Sequence, residues 1–283
     1  MYRPDKPALK VLSLGVGVQS STILLMSCAG ELDRLDYAVF ADTQWEPKAV
    51  YKYLEWLKAV STIPIIVKSK GDLRQFQVEL LSGKVSSCVG RLPYYISNLD
   101  IGSRKVGMLT RQCTYHFKIR MVHKAIRELL GLKPRQWIPS GVMVEQWIGI
   151  SCDEITRMKP CREDWIVNYW PLIDKGMTRK DCLDWMRKKH YPLPSKSACL
   201  ACPFHDDRHW REMKLETPDE FQSVVEFDYG LRENLPLKYI KGIPYLHRSC
   251  KPIGEIDFRT LEDKGQESLF DGMNQECTGM CGV

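Results

Sequence analysis

The chain has 283 residues, a net charge of +6 and 44% apolar residues, which suits one large globular domain with an appendage. No apolar run approaches the roughly 20 residues that span a bilayer and the start of the chain lacks a signal-peptide pattern, so a cytoplasmic chain without a membrane partner is expected. In that reducing setting the eleven cysteines read as metal ligands, redox groups or packing residues rather than disulfides. Residues 11–14 suit a buried strand, and a turn containing Gly15 and Gly17 follows. Hydroxyl residues and an apolar stretch then predict a helix that ends at Gly30. A strand, a Gly/Ser turn and a helix start make an anion site, because unpaired N–H groups and the helix dipole favour negative charge there. Ser20 and Ser21 are placed to cap the helix or bond phosphate oxygens. A plain glycine turn before a packing helix is the competing reading. No Gly-Lys-Ser/Thr follows, so this is not a Walker A loop, and no third glycine completes a dinucleotide fingerprint.

Residues 36–41 predict a second strand that ends in Asp42-Thr43. In an open α/β sheet both polar turns would face one crevice at the carboxyl ends of the strands. Val50, Leu54 and Leu57 fall at helical spacing after Pro47, and residues 63–67 predict a third strand. The alternation predicts an α/β fold, a doubly wound and mostly parallel sheet. Residues 71–107 are weakly patterned and predict a helix over 73–81, then a long loop over the site. Between residues 101 and 135 nine Lys/Arg face the single acid Glu128, which points to a phosphate-bearing partner or to a solvated basic face. In that segment Ile119, Val122, Ile126, Leu129 and Leu130 line one face of a helix ending at Gly131, with Arg120, Lys124 and Arg127 opposite. Residues 146–150 predict a further strand that closes on Ser151, Asp153, Glu154 and Arg157, a set suited to phosphate or sulfonate binding or to capping a helix. Helices are predicted over 178–189 and 217–232. The expected organisation is a nucleotide-binding α/β domain over 1–175, a mainly helical cysteine-bearing extension over 176–254 and a flexible tail over 255–283.

Cys199-Leu-Ala-Cys202 is the clearest metal-type signal, since a Cys-x-x-Cys turn offers two thiolates to zinc or an iron–sulfur centre. Cys113 is the best third ligand, and Cys250, His205 or no protein group is the fourth. A zinc staple without catalytic role is the alternative. Cys28, Cys152, Cys161 and Cys182 read as packing cysteines. Cys88 has no assigned role. Cys277 and Cys281 stand on the tail, where packing does not explain them.

Gly17-Val18-Gln19-Ser20-Ser21 resembles the PP-loop of the adenine nucleotide α-hydrolase superfamily, and Phe40-Ala41-Asp42-Thr43 resembles its phosphoadenosine phosphosulfate (PAPS) reductase branch. Gln19 stands where many members have Asp, and Gly15 stands where a loop serine is expected unless Ser13 substitutes. Arg111, Cys113, Thr114 and Lys118, followed by Cys199-x-x-Cys202-Pro203-Phe204, are similar to PAPS reductase-like proteins of bacteria and their phages. So are Gly149-Ile150-Ser151-x-Asp153-Glu154-x-x-Arg157 and Pro171-Leu172-Ile173. The resemblance implies an adenine nucleotide, ATP with Mg²⁺ or PAPS, held by Ser13, Gly15, Gly17, Val18, Gln19, Ser20, Ser21, Asp42, Thr43, Arg111, Lys118, Asp153, Glu154 and Arg157. It implies a [4Fe–4S] cluster, with zinc as the alternative, at Cys113, Cys199, Cys202 and Cys250. Asp42 and Cys277 are the candidate catalytic groups. The implied activity is ATP-dependent, adenylating sulfur transfer, with DNA or tRNA as acceptor and a cysteine desulfurase or a thiol reductant as partner. The alternatives are thiol-dependent reduction of PAPS or adenylyl sulfate, with Cys277 attacking sulfur, and a non-enzymatic metal-bearing nucleic-acid-binding module.

Overall fold

The computed structural model describes residues 3–85, 89–97, 106–233, 240 and 242–259. In chain order they form β1 (Leu9–Leu14), α1 (Val18–Cys28), β2 (Tyr37–Asp42), α2 (Lys48–Val60), β3 (Ile65–Ser69), α3 (Leu73–Leu81), β4 (Tyr95–Ser97) and β5 (Val106–Met108). A π-helical stretch, Thr114–Ile119, runs into α4 (Arg120–Leu129). Then come β6 (Val144–Ile148), a 3₁₀ segment Cys152–Arg157, β7 (Ile166–Tyr169), α5 (Pro171–Asp174) and α6 (Arg179–Lys188). The remaining elements are α7 (Asp207–Glu216), α8 (Pro218–Glu233), β8 (Ile243–Tyr245) and a 3₁₀ turn, Ile253–Glu255. No helix among the described residues is long and apolar enough to cross a membrane.

The chain folds as two compact units, each assembled from separate stretches. The first comprises the described residues up to Gly71 together with Thr114–Ala198. Its sheet has the order β3-β2-β1-β6-β7 and every pairing is parallel. Side chains alternate across the strands, so Leu12, Leu14 and Phe40 pack with α1, α2 and α6 on one face. Val11, Val39, Val144 and Ile166 pack with Val122, Ala125 and Ile126 of α4 on the other. The doubly wound, mostly parallel α/β fold expected from the strand–helix alternation is therefore the one observed. Strand ends differ by about two residues: β6 stops at Ile148, so Gly149 and Ile150 lie beyond the sheet. Four-residue β7, with Asn168 inside it, has too short a pattern to be legible.

His123 of α4 has its Nε2 3.8 Å from the Cys161 sulfur and its ring against Trp165. Burial lowers its pKa below the usual value. The unfolded chain thus takes up this proton at a higher pH than the folded one, and the stability is present above the unfolded value of about 6.5 and lost as pH falls below it. Thermal melts from pH 7 to pH 5 should show a falling midpoint, and His123→Gln should flatten that fall.

The second unit comprises the described residues of Asp72–Cys113 and those from Cys199 onward. Here α3 lies where the sequence predicts it, with Asp72 capping it by accepting from the Gln75 N–H at 3.0 Å. The expected long loop instead contains β4 and β5, which form an antiparallel sheet in the order β5-β4-β8. Three-residue strands carry no readable period, and the partner β8 lies far along the chain. The two units cut across the consecutive segments 1–175 and 176–254, and residues 260–283 of the expected tail lie outside the described residues. Asp228 of α8, fully buried, accepts from both Arg232 Nη atoms and from the backbone N–H of Leu246 and Ile253, anchoring the chain after β8.

Candidate functional site

In the first unit the strand order reverses between β1 and β6, and the β1–α1 turn stands at that switch point, where open α/β sheets bind ligands. Val16 holds a left-handed conformation, φ 59°, and is fully buried. A β-branched residue adopts that conformation only under constraint from its surroundings, and such strain gathers at binding turns. Gly17 is extended, with φ −97° and ψ −178°, and the first helical bond runs from the Ser21 N–H to its carbonyl at 3.0 Å. No side chain caps α1 and no acid stands in its first turn. Its leading N–H groups therefore keep their affinity for an anion.

The other loop residues brace this turn. Ser20 Oγ accepts from the Gly15 N–H at 3.2 Å and donates to the Gly17 carbonyl at 3.4 Å. Ser197, which the sequence reading did not include, donates its hydroxyl to the Gly15 carbonyl. Ser21 is fully buried beside the Tyr53 hydroxyl, so it belongs to the core beneath the turn rather than to its surface. Val18 is buried too, and Ser13 lies within β1 between its partners Val39 and Ile148. Gly149 backs the helix start: a Cβ there would stand 2.7 Å from Ser20 N and 3.0 Å from Ser20 Cα.

Several charged candidates are already engaged. Gln19 Nε2 donates to Glu154 Oε2 at 3.2 Å and to Ser151 Oγ at 3.4 Å, and Glu154 is ion-paired with Arg157. Asp153 accepts from the Arg179 N–H at 3.0 Å, at the start of α6. Asp42 accepts from the Tyr51 hydroxyl and the Gln44 N–H, both at 2.8 Å, and burial with this bond pushes the Tyr51 pKa well up. Thr43 Oγ1 and Lys118 Nζ meet Glu46 Oε1 at 3.1 and 2.9 Å. Arg111 belongs to the second unit, its guanidinium 5.4 Å over the Phe204 ring.

A cationic group not anticipated from the sequence follows β3. Lys70 Nζ sits 4.5 Å over the Phe117 ring, and its pKa is lowered by burial and then by Arg120. His116 is lowered by burial, then by Lys70 and Arg120. Lys68-Ser69-Lys70-Gly71, closing an apolar strand, was the available signal.

In the second unit Cys199 and Cys202 are buried on one turn, closed by the Cys202 N–H bonding the Cys199 carbonyl at 3.1 Å. His205 Nε2 lies 3.0 Å from the same carbonyl, which can only accept, so this nitrogen carries the proton and braces the turn. Cys113 acts electrostatically on Tyr94, and Cys202 and Cys250 act on the adjacent Tyr95. Three of the four expected sulfur ligands, Cys113, Cys202 and Cys250, thus lie within electrostatic reach of Tyr94 or Tyr95. Among the described residues no three His, Cys, Asp or Glu side chains are arranged to hold one metal ion. Cys199 and Cys202 by themselves supply two soft donors. Burial drives the Cys182 thiol up to about 12 and raises Cys161, the behaviour of packing cysteines. Cys277, Cys281 and Cys88 lie outside the described residues.

No family model and no curated protein matches this chain. Its fold is similar to a solved structure of a phosphoadenylyl-sulfate (PAPS) reductase from Candida auris in complex with phosphate, at 12% identity and a TM-score of 0.42, over 69% of this chain and 82% of that one.

Proposed function

We propose that the chain is an adenine-nucleotide-dependent enzyme of sulfur chemistry, PAPS reductase-like, that binds its nucleotide's phosphates at the β1–α1 turn. The observation that supports it is the uncapped, acid-free start of α1 at the switch point, after a turn that contains left-handed Val16. In the preferred reading ATP adenylates an oxygen of a DNA or tRNA acceptor, and a sulfur nucleophile then displaces AMP. The turn holds the phosphates, and Mg²⁺ enters with them. A metal centre at Cys199 and Cys202, when bound, would supply cluster sulfide or, as zinc, rigidity.

The second reading, reduction of PAPS or adenylyl sulfate by a thiol, is favoured by one detail. Gln19 replaces a loop carboxylate and is bonded to Glu154, so the loop offers no acid of its own to a metal–triphosphate. The two readings part on products: AMP release from ATP supports the first, and sulfite from PAPS that is lost in Cys277→Ser supports the second. Calorimetry tests what they share. Gly17→Val should weaken ATP and PAPS binding by at least tenfold by blocking backbone approach, and unchanged affinity for both would move the site elsewhere.

Metal content is a separate test. Protein purified anaerobically should contain iron with sulfide, or zinc, and Cys199→Ala or Cys113→Ala should lose most of it, because the remaining thiolates cannot complete a coordination sphere. Full metal content in both variants would remove these cysteines from the ligand set.

A further inference from the structure

We infer that the exposed face of α4 and the loop after it bind single-stranded nucleic acid, with Trp137 as a stacking platform. Trp137 is 91% exposed. Leaving that much aromatic surface in water forgoes the favourable burial that a large side chain normally provides. The loop around it is nevertheless firmly built. Arg127 donates to the Gln136 carbonyl, the Gln136 N–H bonds the Lys133 carbonyl at 3.1 Å, and the Lys133 N–H bonds Gln136 Oε1 at 2.9 Å. Arg135 stands left-handed at φ 63°, and the Val142 N–H closes on the Pro139 carbonyl at 3.2 Å. The side chain is thus presented on an ordered turn, which limits the ordering cost of binding.

Charge identifies the partner. Arg120, Lys124 and Arg127, spaced four and three residues apart, share a face of α4 that spans about 10 Å along the helix. Lys133 and Arg135 follow in the loop after α4, both exposed. Glu128, the sole acid between residues 101 and 135, is paired with Lys68 at 2.6 Å. Tyr115, 38% exposed, adds a second aromatic at the other end, with Arg162 5.9 Å from its ring. A row of cations with aromatics at its ends fits a phosphate backbone whose bases are free to stack. A membrane would need a broader apolar face than one tryptophan beside Gln136 and two prolines. This deepens the sulfur-transfer reading by naming a single strand as the acceptor. It rests on that reading only for what happens to the strand once bound.

Fluorescence anisotropy with a labelled 12-nucleotide single-stranded DNA, an abasic chain of equal length and anionic phosphatidylserine vesicles tests it, without ATP or PAPS. Trp137→Ala should weaken binding to the base-bearing strand by about 5- to 150-fold, the range for loss of one stacked base. It should leave the abasic chain and the melting temperature unchanged, and Trp137→Phe should restore most of the affinity. Lys124→Glu should weaken both chains. Equal affinity of wild type and Trp137→Ala for the DNA would overturn the inference. So would absence of DNA binding by the wild type, or vesicle binding as the only interaction that Trp137→Ala abolishes. Because nucleotides are omitted, failure here leaves the β1–α1 reading standing, and failure of ATP and PAPS to bind leaves this surface standing.

Discussion

Replacing Gly149 by alanine is expected to cost the chain its nucleotide affinity, although Gly149 itself need not touch a ligand. The residue follows the last residue of β6 and lies against the first turn of α1. An added Cβ meets the backbone of Ser20, at 2.7 Å from N and 3.0 Å from Cα, and Cβ atoms do not approach backbone that closely. Neither side yields cheaply. Residues Leu9 to Ser13 of β1 pair in register with β6, and α1 is buried along most of its length. Forcing an extra methyl into such packing costs about 1–3 kcal/mol. The displaced group is the helix start to which the proposed function assigns the phosphates, so affinity for ATP or PAPS should fall at least tenfold even where the domain remains folded. Gly15→Ala is the control: its Cβ would meet only Ser20 Oγ, at 3.8 Å, an ordinary contact. Urea unfolding and calorimetry on both variants separate the effects. Wild-type affinity in Gly149→Ala would show that the start of α1 does not carry the binding.

The fold was legible where a single segment contains its own signal. Strands β1 to β3 begin as apolar runs, with glycines after β1 and polar residues at the ends of β2 and β3, and α2 shows buried Val50, Leu54 and Leu57 at helical spacing. What escaped depends on partners distant in sequence. β4 and β8 are three residues each and exist only because they pair. The glycines marked the β1–α1 turn itself, yet the residue at positive φ is Val16 between them, and no propensity predicts a valine there. Ser197 binds the Gly15 carbonyl from 182 residues away. Charges were legible only in part. A capping set with one salt bridge was a sequence-level alternative for Asp153, Glu154 and Arg157, and the Arg157–Glu154 pair is present. That the N–H of Arg179 in α6 is the partner of Asp153 depends on a distant element.

Lys118→Met is expected to destabilise the first unit strongly, which separates a structural role from the ligand role its motif suggests. Glu46, in the turn between β2 and α2, has a side chain with no solvent exposure, and its Oε1 accepts from Lys118 Nζ at 2.9 Å and from Thr43 Oγ1 at 3.1 Å. Lys118 is itself mostly covered, with 21% of its side chain exposed. Methionine keeps the stem and removes the charge, so the buried Glu46 carboxylate loses this cation. Breaking a buried pair from one side costs about 3–5 kcal/mol, because the surviving charge keeps its desolvation penalty. Glu46→Gln in the same chain removes that charge and should recover most of the loss, so the double-mutant cycle should show a coupling of about 2–3 kcal/mol between the two positions. Urea denaturation of the wild type, both single variants and the double variant reads this directly. A residue held mainly for nucleotide contact would behave in the opposite way: Lys118→Met would unfold at the wild-type urea midpoint and lose only affinity. In that case the Glu46 pair would contribute little, and Lys118 would return to the set of phosphate-binding candidates.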